Sequence, residues 1–407
     1  MKNRKIVVIV GGGPAGMMAA WWLAEKFEVH LFEKEKMIGQ KFLLAGKGGF
    51  NLTNRLSGET LLPKYSPAGF LDKALLEFDS QKLREWLIQL GIPTYEGSSG
   101  RVFPDRGITP SDVLKKILSS LVSRGVVFHL KHKLSSFSKE MVFKFLTPER
   151  EVSMKADFAV MAMGGASWPS TGSDGFWTKL FNDRGIATMP FQPSNCGINI
   201  AWPDSVIKFH SGKPLKNIEL KVNNKVSRGE ALITEYGLEG NAVYPLVPEI
   251  RNLFASNEIP VISLDFKPVN TFVQLKEKIS RNNVKTSDYQ AIFKLNSVSM
   301  ALIKAYSDKE SFFKPDRFAY LVKNLLISVA SLRPVEEAIS TVGGLNVDEL
   351  NPDFSLKKYP AISCIGEMAD WDAPTGGFLL QGSFSMGYYA AESILNEAIQ
   401  GNSEGRV

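Results

Sequence analysis

A run from Lys5 to Val10, apolar from Ile6 onward, stands near the start and reads as a buried β-strand. A helix-like stretch follows and ends near Lys26, and a second apolar run, with Val29, Leu31 and Phe32, closes on an acid, Glu33. The order is strand, helix, strand. Further on, Phe70, Leu71, Ala74, Leu75, Phe78, Leu83, Trp86, Leu87 and Leu90 recur at helical spacing, which predicts a helix over 70–90. Ser111 is placed to cap a helix running to about Ser123. Short strands are predicted at 126–130, 134–137, 141–146 and 151–156, then a buried strand at 157–165 that ends in a glycine pair.

The texture changes near Phe191. Pro and Asn become frequent and the apolar runs become short: CGINIA, IELKV, ALITEYG and VISLDF. This predicts a β-rich insert over 191–270. Residues 271–332 are helical in pattern and basic. From residue 333 glycine pairs return at Gly343-Gly344 and Gly376-Gly377, with a strand at 361–366 leading into Glu367 and a helix from about Gly382 to Ile399. The expected organisation is one α/β domain in two halves, 1–190 and 333–407, separated by the two inserts.

The junction between the first strand and helix carries Gly11-x-Gly13-x-x-Gly16. In a dinucleotide-binding βαβ unit the first glycine permits a tight turn. The second lets the backbone approach a pyrophosphate at the helix N-terminus, and the third lets helix and strand pack closely. An acid at the end of the second strand, about 20 residues on, accepts hydrogen bonds from ribose hydroxyls, and Glu33 stands there. Only one such motif occurs. With a late strand–acid–glycine segment and a large insert, it favours FAD over NAD. Glu367 is then placed for the ribitol. The helix after Gly376-Gly377 points its positive end at the isoalloxazine, where it would stabilise anionic reduced flavin. Without a second glycine-rich fold, NAD(P)H is expected to bind only transiently.

Composition narrows the picture further. At 407 residues, 44% hydrophobic and 22% charged, the chain is long enough for a sizeable core. Its two cysteines, Cys196 and Cys364, form no disulfide framework, and four scattered histidines form no metal-ligand spacing, so no metal is expected. Lys2, Arg4 and Lys5 before an apolar stretch imitate a signal peptide, but the glycine run argues for a first strand. No apolar stretch is long enough to span a bilayer, and a cytoplasmic location is expected. The net charge is +6, and residues 276–333 hold 11 Lys+Arg against 5 Asp+Glu. That is either a solvated helical face or a surface for polyanions such as RNA.

Several stretches together resemble the BaiN-like (YhiN-type) flavoproteins, also described as NAD(P)/FAD-dependent oxidoreductases or the aminoacetone oxidase family. They are GGGPAGMMAA, GQKFLLAGKGGFNLTN, GRVFP, GGASWPSTGSDGFW, TVGGLNVDELNP and GEMADWDAPTGGFLLQGSFSMGYYAA, spread over residues 11–391. The resemblance implies a Rossmann-like FAD-binding domain interrupted by a β-barrel-like insert with a helical extension. It implies that Gly11, Gly13, Pro14, Ala15 and Gly16 hold the pyrophosphate, and that Glu33 and Lys34 hold the adenosine ribose. Lys41, Gly46, Gly48 and Asn51 would lie in a loop approaching the flavin. Leu134 would bracket the adenine, and Gly164 would end the middle strand. Glu367, Asp370, Gly377, Phe378 and Gln381 would form the late FAD motif.

The chain departs from that pattern. Many relatives carry Gly-Gly-Gly-Arg-Cys-Asn where this chain reads Gly46-Lys47-Gly48-Gly49-Phe50-Asn51. Leu379 stands where relatives carry Asn, and Gly382 where they carry Trp. The sequence looks like a divergent branch.

The leading expectation is an FAD-dependent oxidoreductase that transfers hydride through a non-covalent flavin to an unspecified small molecule. Some members of the resembled family are associated with dihydrouridine formation in ribosomal RNA. A reductase gripping RNA through Lys276, Lys278, Arg281, Lys285, Lys294 and Lys304 is therefore the first alternative. A non-catalytic flavin sensor or electron carrier is the second. No catalytic acid or base is legible. Cys364 reads as a structural thiol and Cys196 as inert more readily than as a nucleophile. Arg101 either contacts flavin or substrate or caps a turn.

Overall fold

The computed structural model describes residues 4–44, 49–279 and 284–404. The chain divides into two compact units, one of residues up to 192 and from 340, the other Pro193–Ile339.

The first unit is built on a six-stranded sheet. Its central strand β1 (Ile6–Val10) leads into helix α1 (Pro14–Leu23) and returns through β2 (Glu28–Glu33). Strands β3 (Val127–Leu130), β4 (Phe158–Met161) and β5 (Tyr359–Cys364) complete the parallel set, in the order β5-β4-β1-β2-β3. A short antiparallel strand, Ser355–Leu356, lies beyond β5. Strands covered on both faces read as continuous apolar runs, and Val7, Val8 and Ile9 are wholly buried.

Helix α1 is nearly all buried, and its small residues allow close packing. It lies against the last helix, α2 (Phe378–Glu404). A Cβ on Gly387 of α2 would come within 2.5 Å of the Ala15 carbonyl oxygen, so the two helices meet backbone to backbone there. Strands Lys133–Phe137, Val142–Leu146 and Glu151–Lys155 form an antiparallel meander in the same unit.

The expected helix over 70–90 is two helices, Asp72–Glu77 and Ser80–Gln89. The break has a polar cause. The Asp79 carboxylate accepts from the amides of Gln81 and Lys82, capping the second helix. The Phe78 carbonyl accepts from Gln381 Nε2 at 2.9 Å and Ser385 Oγ at 2.6 Å of α2. The next helix is capped by Thr109 rather than Ser111, because Pro110 fits the first helical position and Thr109 and Asp112 close a capping box.

In the second unit seven antiparallel strands form one sheet. Its longest are Pro214–Val222 and Lys225–Ile233. Strand pairing runs in order from Leu325–Ser328 at one end to Ser331–Leu332 at the other, and no pairing joins those ends among the described residues. Leu325–Ser328 falls inside the stretch predicted as helical. Leu325 and Ile327 are buried while Leu326 is exposed, the period of a strand. Helices Phe272–Ile279, Ser297–Ala305 and Pro315–Lys323 pack in a buried core with Tyr289, Phe293 and Phe318. No helix among the described residues is long and apolar enough to cross a membrane.

Candidate cofactor site

The carboxyl ends of β1, β2 and β4 face one cleft of the first unit. The turn after β1 is held by a bond from the Gly11 amide to the Phe32 carbonyl oxygen, 2.8 Å. Gly11 has φ +107°, and a Cβ there would lie 2.2 Å from the Ala162 carbonyl oxygen. A Cβ on Gly16 would lie 2.1 Å from the Gly11 carbonyl oxygen. The protein's own packing therefore demands glycine at both positions. Gly13 is different: a Cβ there would meet no heavy atom within 4 Å. The space that a side chain would fill lies at the start of α1, where free backbone amides and the helix dipole favour an anion. Pro14, first in the helix, loses no needed donor. This cradle fits a pyrophosphate.

Glu33 ends β2 in the same cleft. Its Oε2 accepts from the Gly12 amide at 2.9 Å and its Oε1 from the Glu35 amide at 3.0 Å. Burial raises the carboxyl's pKa, against the pull of those two amides. Each oxygen keeps a lone pair for a hydroxyl donor, as a ribose would supply. Lys34 pairs with Asp174 at 2.7 Å and lies 4.4 Å from the ring centre of Phe176. Leu134 and Gly164 line the cleft, and so does Gln40, whose buried Nε2 has no partner among the described residues.

Lys41 joins this cleft to the late motif. Its Nζ donates to Glu367 Oε2 at 2.6 Å, to Ser167 Oγ at 2.7 Å and to Ser173 Oγ at 3.3 Å. Glu367 Oε1 accepts from the Thr341 amide at 3.0 Å, and Asp370 Oδ1 from the Gly343 amide at 2.8 Å. Two carboxylates are thus fixed by backbone donors two residues apart, and one of them, Glu367, meets the Lys41 ammonium.

Asn51 reaches the start of α2: oriented to satisfy both partners, its amide donates to the Gly49 carbonyl and accepts from the Gly377 N–H. Gly377, at φ +97°, presses on strand Thr53–Asn54, where a Cβ would come 2.3 Å from the Thr53 carbonyl. The Phe378 carbonyl accepts from the Tyr65 hydroxyl at 2.8 Å. Gln381 is wholly buried, accepting from Thr53 Oγ1 at 2.6 Å while its Nε2 donates to Phe78 O and Ser385 Oγ. Its amide anchors α2 to the helices beside it.

Of the residues singled out from sequence, Gly11, Gly13, Pro14, Glu33, Lys34, Lys41, Leu134 and Gly164 share one cleft. Ala15 and Gly16 serve packing behind it. Glu367 meets Lys41, Asp370 is held by the Gly343 amide, and Asn51, Gly377, Phe378 and Gln381 stand together at the α2 end. Gly46 and Gly48 lie outside the described residues, as does Arg281. Ser167, Ser173, Thr341 and Gln40 were not singled out. The two serines sit inside a glycine-rich stretch, 164–175, whose composition marks a loop without saying which hydroxyl faces a lysine.

The departures have structural consequences. Phe50, where relatives carry Cys, is buried edge-on against Phe42 with ring centres 5.0 Å apart. A Cβ on Gly382 would lie 2.8 Å from the Trp371 ring and 3.0 Å from Tyr65, so these side chains occupy that space. Burial pushes the Cys196 thiol up to about 11 and raises the Cys364 thiol well above its ordinary value, leaving both protonated at neutral pH.

Beside Glu33, the Phe32 ring is stacked between His129, 4.2 Å away, and Phe145, 3.9 Å away. His129 Nε2 and His30 Nδ1 share a hydrogen bond of 2.9 Å, and His30 Nε2 meets Glu28 at 3.0 Å. Burial, helped by His30 and His132, lowers the His129 pKa to about 4 from 6.5. The unfolded chain therefore takes up a proton at His129 that the folded one refuses, and stability should fall as pH drops from 6.5 towards 4. His129→Gln should flatten that slope in thermal melts across this window. An unchanged slope would place the acid sensitivity elsewhere.

The model for the HI0933-like protein Rossmann domain matches residues 5–393. Two curated relatives match along nearly their whole length. One is a 3-dehydro-bile acid delta(4,6)-reductase of Clostridium scindens, 24% identical, covering 95% of this chain and 98% of that protein. The other is a ribosomal RNA dihydrouridine synthase of Haemophilus influenzae, 23% identical, covering 95% and 98%. Among solved structures, a 3-ketosteroid delta1-dehydrogenase from Sterolibacterium denitrificans shares the fold with a TM-score of 0.52 and 13% identity, covering 97% of this chain and all of that one. With its glycine-rich turn, strand-end acid and late carboxylate pair inside a matched region that spans almost the whole sequence, the chain belongs to the HI0933-like Rossmann family, the BaiN-like group of FAD-dependent oxidoreductases.

Proposed function

We propose that the protein binds FAD non-covalently and reduces a carbon–carbon double bond conjugated to a carbonyl. The observation that carries the cofactor assignment is the open space before Gly13, between two glycines that packing itself demands, with Glu33 held at the strand end beside it. Gly13 and the backbone amides of Ala15 and Gly16 would hold the pyrophosphate, Glu33 the adenosine ribose, and Glu367 with Asp370 the ribitol. Bound flavin supplies two-electron hydride chemistry. The chain's own residues bind and orient it. Lys41 holds the Glu367 carboxylate in place, and Tyr65 and Asn51 fix the first turn of α2.

The relatives' names support the substrate class. A delta(4,6)-reductase of a dehydro-bile acid and a dihydrouridine synthase both saturate a ring C=C conjugated to a carbonyl. A small molecule is the preferred substrate. The RNA reading has support in the second name and in the basic stretch 276–333, but parts of that stretch are internally neutralised. Lys276 pairs with Asp316 at 3.0 Å, and Lys314 and Arg317 both pair with Glu310. NAD(P)H would serve as a transient reductant, and the site of action would be the cytoplasm.

The purified protein should be yellow, and acid precipitation should release FAD. Release of FMN, or of no flavin, overturns the cofactor reading. NADH-dependent bleaching separates an enzyme from a sensor. Nucleoside mass spectrometry of rRNA from a deletion strain separates the RNA substrate, which predicts loss of a dihydrouridine, from the small molecule, which predicts no change.

A further inference from the structure

Arg101 stands on the central strand of a three-stranded sheet, Arg101–Pro104, between Thr53–Asn54 and Thr94–Glu96. Its backbone is pinned on both sides: the Arg101 carbonyl accepts from the Gly97 amide at 2.8 Å, and Asn54 is its ladder partner. Asn54 in turn donates from Nδ2 to the Gly376 carbonyl at 3.2 Å. The guanidinium therefore sits over the Gly376-Gly377 turn, with Nε 3.7 Å from where a Cβ on Gly376 would be.

It is half-buried and makes no hydrogen bond or ion pair among the described residues. The acid on the neighbouring strand, Glu96, is engaged by Arg55. A guanidinium carries five donors, and leaving them unused in a partly buried position is costly. The same turn starts α2, whose amino end carries partial positive charge, so Arg101 gains nothing there from the protein. An oxygen anion is the group that would satisfy both.

We infer that Arg101 binds the carbonyl oxygen of the substrate and stabilises the enolate that forms during reduction. This rests on the proposed function. When hydride from a dihydroflavin adds to the β-carbon, the π electrons of the double bond move onto the carbonyl oxygen. The negative charge stays there until the α-carbon takes a proton from solvent, and the flavin is left oxidised. An unpaired guanidinium on a pinned strand, beside the turn where the isoalloxazine is expected, meets that charge as it develops. Arg101 is thus a substrate-binding residue. Its chemistry selects conjugated ketones and cyclic imides over substrates that lack an oxygen able to take the charge.

The test uses 4-nitrophenol, a planar ring whose phenolate mimics an enolate and reports its own ionisation by absorbance. The purified holoprotein should bind the anion preferentially and lower the apparent pKa of the bound phenol. Arg101→Gln should abolish that shift and weaken binding at least about 10-fold, the scale of losing one charge-assisted hydrogen bond, with Arg101→Lys in between. Flavin content and melting temperature of Arg101→Gln should match the parent, because the side chain holds nothing in the protein. The inference is overturned if the parent does not lower the phenol's pKa, if Arg101→Gln lowers it equally, or if Arg101→Gln loses flavin or stability. A parent without flavin sinks the proposed function instead, and that is read separately from the phenolate titration.

Discussion

Gly13→Val should give a folded, colourless protein that melts like the parent, while Gly16→Val should melt well below it. The two glycines share one motif but answer to different constraints. Gly13 has extended backbone, φ −79° and ψ −179°, which valine adopts readily, and its side-chain direction meets no protein atom within 4 Å. The added isopropyl group would instead fill the cradle at the start of α1. Losing close approach of a pyrophosphate to the helix amides removes charge-assisted hydrogen bonds worth roughly 1.5–3 kcal/mol each, a drop in flavin affinity of at least about 10-fold. At Gly16 the obstacle is the Gly11 carbonyl oxygen, 2.1 Å from the Cβ position. That oxygen cannot swing away as a side chain can, because the Gly11 amide is tied to Phe32 and a Cβ on Gly11 would itself strike Ala162. Overpacking against backbone costs about 1–3 kcal/mol or more, and here it falls between the central strand and α1. Melting temperature and visible flavin absorbance separate the two outcomes. A Gly13→Val protein that keeps its flavin would place the pyrophosphate elsewhere. A Gly16→Val protein that melts like the parent would show that the helix can shift.

This contrast also shows which parts of the site the sequence discloses. The apolar run into Val10 and the acid after Phe32 are legible because each follows from local geometry: a strand buried on both faces, and a strand end facing a helix start. The glycine spacing predicts a turn, but the sequence does not say which glycine serves the fold and which serves a ligand. That distinction depends on Ala162, more than a hundred residues away. The same limit explains the missed break in the helix over 70–90. Phe78 fits the apolar spacing, and nothing near it reveals that its carbonyl is taken by Gln381 and Ser385 from the far end of the chain. Strand Leu325–Ser328 was hidden for another reason. It is too short to contradict the helical pattern before it, and its partner, Val261–Asp265, lies 60 residues upstream. Arg101 stayed ambiguous from sequence because the choice between a turn cap and a free guanidinium depends on where Glu96 and Gly376 end up.

Lys41→Met should lower both stability and flavin content, and Glu367→Gln added to it should restore only the stability. Lys41 and Glu367 are 326 residues apart in sequence and 2.6 Å apart in space, and their side chains are 26% and 18% exposed. A pair of this kind lies between a surface ion pair, worth about 0–1 kcal/mol, and a fully buried one, whose disruption from one side costs about 3–5 kcal/mol. Removing the ammonium leaves the Glu367 carboxylate beside the apolar methionine, with the Thr341 amide and hydroxyl as its remaining donors, and takes the donor from Ser167 and Ser173 as well. A loss of about 1–3 kcal/mol follows, several degrees in melting temperature for a unit of this size. Glu367→Gln in the Lys41→Met background removes the stranded charge but keeps an oxygen for the Thr341 amide, so at least half of the lost stability should return. The coupling is read as the departure from additivity between the two single variants and the double. Flavin content should not return, because the ribitol would have lost its carboxylate acceptor. If the double variant melts at the sum of the two single losses, Lys41 and Glu367 act independently. If it regains flavin along with stability, Glu367 holds the fold rather than the cofactor.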